Sequence, residues 1–481
     1  MPVDQCFNRD AKYDLHRNVA DFQPSIWGNY FLQYASESME LDQKIETQIE
    51  TLKYDVRKML VAKSEKPFQK VHLIDSICRL GVSYYFEKEI EENLQYIHRN
   101  SVENGEIIFE DNLYSLAVLF RLLRQQGLYV SPNVFNKYKD DKGSFSETLI
   151  KDVEGMLSLY EATHLMIHGE DILEEALAFT TTHLESIANQ SSHPHATQVK
   201  YSLRQTIHKN LPRLEARRFI SIYEQDPLHI ENLLLLAKLD FNMLQTLHQK
   251  EFGIVCKWNC LDNLPAYMKF LYGIILDLYE ELEHEMKMRG KVFALNYHVK
   301  ELKKYVQAYM TEARWLNNNY KPTLEEYIRL SIESSGYVFM VTTCFMGMGE
   351  IVTEDILKWV ANEPTIVNAS IVIGRLMDDI VSNEFEQKRD HISSFLECYM
   401  KKYNVSRDVA IQEGRKRIVG AWKDMNKECL IPTQVPVPFL KRILNLSRFM
   451  DVVYKDKDNF THPEGEMKTF IKLLLVDPVP I

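Results

Sequence analysis

Asp378, Ser382 and Glu386 stand four apart in the run Leu376-Met-Asp378-Asp-Ile-Val-Ser382-Asn-Glu-Phe-Glu386. Each step of four turns a helix by only about 40°, so three oxygen-bearing side chains share one face. From first to last they span about 12 Å of axis, too far for three short side chains to meet. Helical side chains lean toward the N-terminus, and Glu is the longest of the three. Glu386 can therefore reach back while Asp378 stays close in. That set suits a hard divalent cation. Mg²⁺ keeps open positions for waters and phosphate oxygens, with Mn²⁺ as the alternative ion. Arg375, about one turn before Asp378, is placed to meet a diphosphate directly. The same pattern also describes a solvated acidic helix face. Here it follows an apolar run, so Asp378 begins where a buried helix turns polar.

The elements that must position these residues read as helices. Leu41, Ile45, Ile49, Leu52, Val56 and Leu60 recur at three- and four-residue steps with charges between them. Similar stretches cover 70–98, 108–127, 146–188 and 198–210. The runs 138–144 and 189–195 read as loops. Beyond residue 205 the spacing predicts longer helices at Leu233 to Leu247, Ala266 to Lys287, Tyr297 to Leu316 and Ala369 to Val381. Ser406 reads as an N-cap opening a helix to about Glu428. Pro432, Pro436, Pro438, Pro478 and Pro480 belong outside helix interiors. The fold class is all-α, with residues 1–205 as one helical domain and 206–481 as a second. No fixed-period repeat appears, which disfavours a solenoid scaffold.

Composition agrees. In 481 residues there are only 17 Gly and 16 Pro, which permits long helices. The net charge of -11 offers nucleic acid or anionic membrane no global attraction. No uncharged run reaches bilayer-spanning length. The first residues carry Asp4, Asp10 and Asp14 and no apolar signal core. Seven dispersed cysteines, Cys256 and Cys260 among them, suit a reducing compartment, and a cytoplasmic location is expected.

Several ordered segments resemble the plant class I terpene synthases of the sesquiterpene type. Arg17-Asn-Val-Ala-Asp-Phe-Gln-Pro-Ser-Ile-Trp27 resembles the family's R-R-x8-W segment, in the Arg17-Asn18 form and without a plastid leader. Leu214-Glu-Ala-Arg-Arg218 resembles the opening of the C-terminal domain. Asp378 to Glu386 resembles the second metal motif, which gives Asp378, Ser382 and Glu386 the ligand role. Asn445-Leu-Ser-Arg-Phe-Met-Asp-Val-Val-Tyr454 and Asp458-Asn-Phe-Thr-His-Pro463 resemble the lid and pocket segment, with Tyr454 and Asp458 at polar catalytic positions. The resemblance implies an α-barrel-like N-terminal domain without a metal site and a C-terminal catalytic bundle. It implies a monomer that takes a prenyl diphosphate, farnesyl diphosphate here, removes diphosphate with Mg²⁺ and cyclises the carbocation. Such chemistry needs cationic groups for the leaving diphosphate and an apolar, dry, aromatic pocket.

One family element is absent. A D-D-x-x-D motif and an R-x-R pair belong between His248-Gln-Lys-Glu251 and Leu264-Pro-Ala-Tyr-Met268, and only Phe252 to Asn263 joins those landmarks. Roughly seventy residues are missing there, enough for two to three helices. Asp140-Asp141 and Asp277, Glu280 and Glu281 read as solvated groups, not replacements. The loss of charge stabilisation predicts a severe drop in activity, one good donor alone being worth about 3 kcal/mol. The alternative reading is a catalytically inactive relative that binds isoprenoid diphosphates or partner proteins.

Overall fold

The structure, a computed structural model, describes residues 26–27, 30–36, 43–62, 67–100, 112–190, 193, 195–257, 267–388 and 391–481. Leu41, the segment Arg17 to Ser25, and most of the Phe252 to Asn263 join lie outside them, as does Cys260. Among the described residues there are nineteen α-helices, and the only β pairing is an isolated bridge, Lys139 to Phe145. The all-α expectation therefore holds.

The first helix, Gln43–Val61, buries Ile49, Leu52, Val56 and Leu60, as a stripe of that period must. Ile45, at the edge of the stripe, is instead 37% exposed. The stretch 70–98 is not one helix. Pro67–Arg79 stops at Gly81, whose positive φ (+81°) turns the chain, and Glu87–His98 follows. A Cβ at Gly81 would lie 2.8 Å from Ala216 Cβ, so the turn also needs the missing side chain. The stretch 146–188 likewise breaks into Val153–Thr163 and Asp171–Ala188. Between them the Glu170 carboxylate accepts from Ile167 N and pairs with Arg124. Apolar periodicity runs through such breaks because the helices on either side face the same core.

Leu113–Gln125 is the central helix of this half, capped by Asn112 on Tyr114 N at 2.8 Å, and it is buried almost along its length. Its two charges, Arg121 and Arg124, are tolerated because Asp75 and Glu170 pair with them. Pro212–Gln225 and the start of the long helix Glu231–Lys257 add Phe219, Ile220, Leu233 and Leu236 to the same core.

The second core gathers Tyr337–Met346, Thr365–Glu386, Arg407–Glu428 and Val437–Val453. Thr365–Glu386 lies at its centre and contributes Ile366, Val367, Ile371 and Ile373, all 2% exposed or less. Pro436 and Pro438 stand at the N-terminal end of Val437–Val453, where a missing N–H costs nothing. The chain then returns to the first half. Gln249 Nε2 donates to Leu475 O at 2.7 Å, and Val479 N donates to Asn242 Oδ1 at 2.7 Å. No described helix is long and apolar enough to cross a membrane.

Candidate metal centre

The Asp378-to-Glu386 motif forms the C-terminal end of a helix and is helical throughout. Thr365–Glu386 runs on past Val381, so all three oxygens stay in helical register. Ser382 is buried, and its hydroxyl donates to Asp378 O one turn back at 2.8 Å. Its oxygen lone pairs remain available. Glu386 lies 3.5 Å from His391 Nε2. Asp379 points to the other side, into the protein. It is 4% exposed and accepts from Phe395 N at 2.9 Å and from the Tyr327 hydroxyl. One aspartate of the pair thus anchors the helix and the other is left for the site.

Arg375 stands between them, its Nη1 3.7 Å from Asp378 Oδ2 and 4.0 Å from Asp379 Oδ1. Its Nε is buried without a partner. Tyr337 comes from the adjacent helix and packs on Gly374, where an added Cβ would lie 1.5 Å from its hydroxyl. That hydroxyl too is buried and unpartnered. Burial pushes Asp378 up to about 7, helped by Asp379, Glu386 and Asp458 and opposed by Arg375. The Tyr454 phenol is likewise raised by burial, then by Asp378 and Asp458. Asp378, Glu386, Asp458, Tyr454 and Arg375 therefore share one electrostatic neighbourhood, drawn from residues eighty positions apart.

Local folding explains how the late segment arrives there. Tyr454 closes the helix Val437–Val453. Asp458 Oδ1 accepts from Phe460 N at 3.0 Å and Thr461 N at 2.9 Å, a side-chain turn that Asp favours. His462 then meets Phe385 edge-on, ring centroids 4.9 Å apart, against the end of the motif helix.

The donor set fits a hard cation. It consists of oxygens, and the Asp378 carboxyl, raised by partial burial and by the carboxyls of Asp379, Glu386 and Asp458, would gain from a positive charge there. Among the described residues no three His, Cys, Asp or Glu side chains form a metal cage. Two carboxylates and a hydroxyl on one helix leave a cation's other positions to water or phosphate oxygens. The remaining acidic candidates are elsewhere. Asp140 Oδ1 accepts from Lys142 N and Ser144 N within its own turn, and Asp277, Glu280 and Glu281 are exposed. A cavity of about 670 Å³ opens between Tyr267–Met288 and Val292–Asn317, lined by Tyr279, Leu295 and Lys300 rather than by the motif.

The sequence reading did not include Tyr337, Tyr309 or Glu312. Tyr309 and Glu312 reach the same field from Val292–Asn317, Glu312 acting on Arg375 and Tyr327. Their only sequence signal is a polar or aromatic residue on an otherwise mixed helix, too common to single out.

Two family sequence models match the chain: the terpene synthase N-terminal domain over residues 26–203 and the terpene synthase family metal binding domain over 254–424. The second takes in Arg375, Asp378, Ser382 and Glu386 and stops short of Tyr454 and Asp458. A (-)-germacrene D synthase of Vitis vinifera is 42% identical over 98% of each chain. A valencene synthase of the same species is 40% identical over 96% of this chain and 97% of its own. A probable sesquiterpene synthase of Santalum murrayanum, 40% identical, aligns over 555 positions with 100% of this chain. Those 555 positions exceed the 481 residues by 74. Among solved structures, limonene synthase with 2-fluorolinalyl diphosphate superposes with a TM-score of 0.84 at 25% identity, covering 96% of this chain and 99% of its own. Isoprene synthase from grey poplar, with three Mg²⁺ ions and dimethylallyl-S-thiolodiphosphate, gives 0.81 at 25% identity over 91% and 98%.

Proposed function

We infer the reaction from one premise: the chain belongs to the terpene synthase family. It is a sesquiterpene synthase, a lyase with a divalent-metal-binding domain that acts on a prenyl diphosphate. We take the substrate to be farnesyl diphosphate, the ion to be Mg²⁺ and the compartment to be the cytoplasm, with the chain acting as a monomer. The domain division falls near residue 205.

Asp378, Ser382 and Glu386 hold the ion, and Arg375 faces the diphosphate. A divalent cation bound there supplies positive charge where the leaving diphosphate gathers negative charge. Asp378 must give up its proton to serve, and Arg375 beside it favours that. Tyr454 and Asp458 close the polar side from the late segment. The observation that carries this reading is one helical face that presents Asp378, Ser382 and Glu386, with Arg375 Nη1 3.7 Å from Asp378 Oδ2.

The test is to incubate the purified chain with farnesyl diphosphate and Mg²⁺ and to analyse the volatiles. A sesquiterpene that disappears in Asp378→Ala supports the assignment. Product formation that Asp378→Ala leaves unchanged contradicts it.

A further inference from the structure

A second cavity, about 300 Å³, lies between the two helical halves and away from the motif helix. Its walls come from Leu113–Gln125, from the connecting segment at Ile207 to Glu215, and from Val437–Val453. Five cationic side chains line it, Arg79, Arg121, Arg124, Lys441 and Arg448, against a single lining carboxylate, Glu215.

Most of that charge is answered by carboxylates, Glu215 in the wall and the others behind it. Arg79 pairs with Glu215 at 3.0 Å, Arg121 with Asp75, and Arg124 with Glu170. Lys441 reaches Glu87 at 3.6 Å, with both side chains more than half exposed. Arg448 is different. Its Nε donates to His208 O at 2.7 Å and its Nη1 to Asn445 Oδ1 at 2.9 Å, both neutral acceptors. Among the described residues no carboxylate lies within ion-pair distance of it. Burial pushes its guanidinium down to about 10, as expected of a cation without a counter-charge.

A second group is unanswered. Arg124 is 3% exposed, and its Nε and Nη2 donate to Val130 O at 3.1 and 2.6 Å. Its Nη1 is buried with no partner. His208 adds no acid. It is neutral, pushed down to about 3 by burial and by Arg448, with Nε2 on Asn426 Oδ1 at 2.8 Å. A half-buried cation without an anion and a buried N–H without an acceptor both carry a cost that an oxyanion in the cavity they line would relieve. Phosphate oxygens match guanidinium donors in charge and in fork geometry.

We propose that this cavity binds a small phosphate-class oxyanion, seated on Arg448 and Arg124, that ties the N-terminal and C-terminal halves together. Free phosphate and the diphosphate released by a terpene synthase share this chemistry.

The experiment titrates the full chain calorimetrically with inorganic phosphate and, separately, with inorganic diphosphate. EDTA is present so that the metal centre cannot take either anion, and chloride holds ionic strength constant. One anion per chain is expected, with affinity at least about tenfold weaker in Arg448→Met. Asp378→Ala should leave the affinity within about twofold, since that residue belongs to the other site. Tighter binding of diphosphate than of phosphate identifies the released group as the occupant, and the reverse order identifies free phosphate. Absence of binding by both anions overturns the proposal, as does affinity unchanged in Arg448→Met or lost in Asp378→Ala. Should Arg448→Met fail to fold, Lys441→Gln on the exposed rim serves instead, and affinity unchanged there also overturns it.

Discussion

Asp378 gains its proton affinity from burial and from three neighbouring carboxyls, and a metal ion must displace that proton to bind. With the carboxyl held near 7, affinity for Mg²⁺ with diphosphate should fall about tenfold for each pH unit below 7 and level off above. Calorimetry at pH 6 and pH 8 checks this, together with proton release measured in buffers of different ionisation enthalpy. The opposite sign applies to the metal-free fold. A raised carboxyl pKa favours the protonated native state, so its stabilising contribution is full below the ordinary carboxylate range and lost as pH rises towards 7. That Asp378, Ser382 and Glu386 share a face was legible in the sequence because helical geometry converts spacing directly into position. The division of labour between Asp378 and Asp379 was not. It depends on Tyr327 and Phe395 N arriving from two other elements to hold Asp379 inward, and no spacing along the motif encodes them.

At the scale of elements, the motif helix is set by a close approach. Gly374 lets the Tyr337 ring lie directly on Thr365–Glu386, one residue from Arg375. Gly374→Ala puts a methyl 1.5 Å from the Tyr337 hydroxyl, so the ring or the helix must move. Overpacking of that kind costs about 1–3 kcal/mol. Chemical denaturation should show a lower midpoint with an unchanged slope, and an unchanged midpoint would contradict this packing account. Helix ends were the less legible part of the fold. The expected Ala369 to Val381 extends at both ends to Thr365–Glu386, because Ser382, Asn383 and Glu386 are polar but remain helical. Stretches such as 146–188 hid their turns because Val153–Thr163 and Asp171–Ala188 bury the same side.

Across the whole molecule, 74 alignment positions without a counterpart here agree in size with the gap inferred between Glu251 and Leu264. The sequence carries no D-D-x-x-D, so on the proposed reading Asp378, Ser382 and Glu386 hold the ion without that second acidic segment. One lost electrostatic donor already lowers a rate by about a hundredfold or more. Steady-state kinetics should therefore find kcat at least that far below a full-length relative's. Grafting the relative's segment between Glu251 and Leu264 should recover much of the difference. Equal kcat values without the graft would mean that the chain needs no second acidic segment. Two helical halves were readable from scarce glycine, scarce proline and amphipathic periods. The return of the C-terminal tail onto Glu231–Lys257 was not, since Asn242, Gln245 and Gln249 become recognisable as tail-binding groups only once Leu474 to Val479 lie against them.

The most direct test is calorimetric binding of an unreactive farnesyl thiodiphosphate, with and without Mg²⁺, to the unaltered chain and to Asp378→Ala. The metal-centre account predicts binding that requires Mg²⁺ and weakens at least about tenfold in Asp378→Ala. Mg²⁺-dependent binding of equal strength in the two proteins would contradict it.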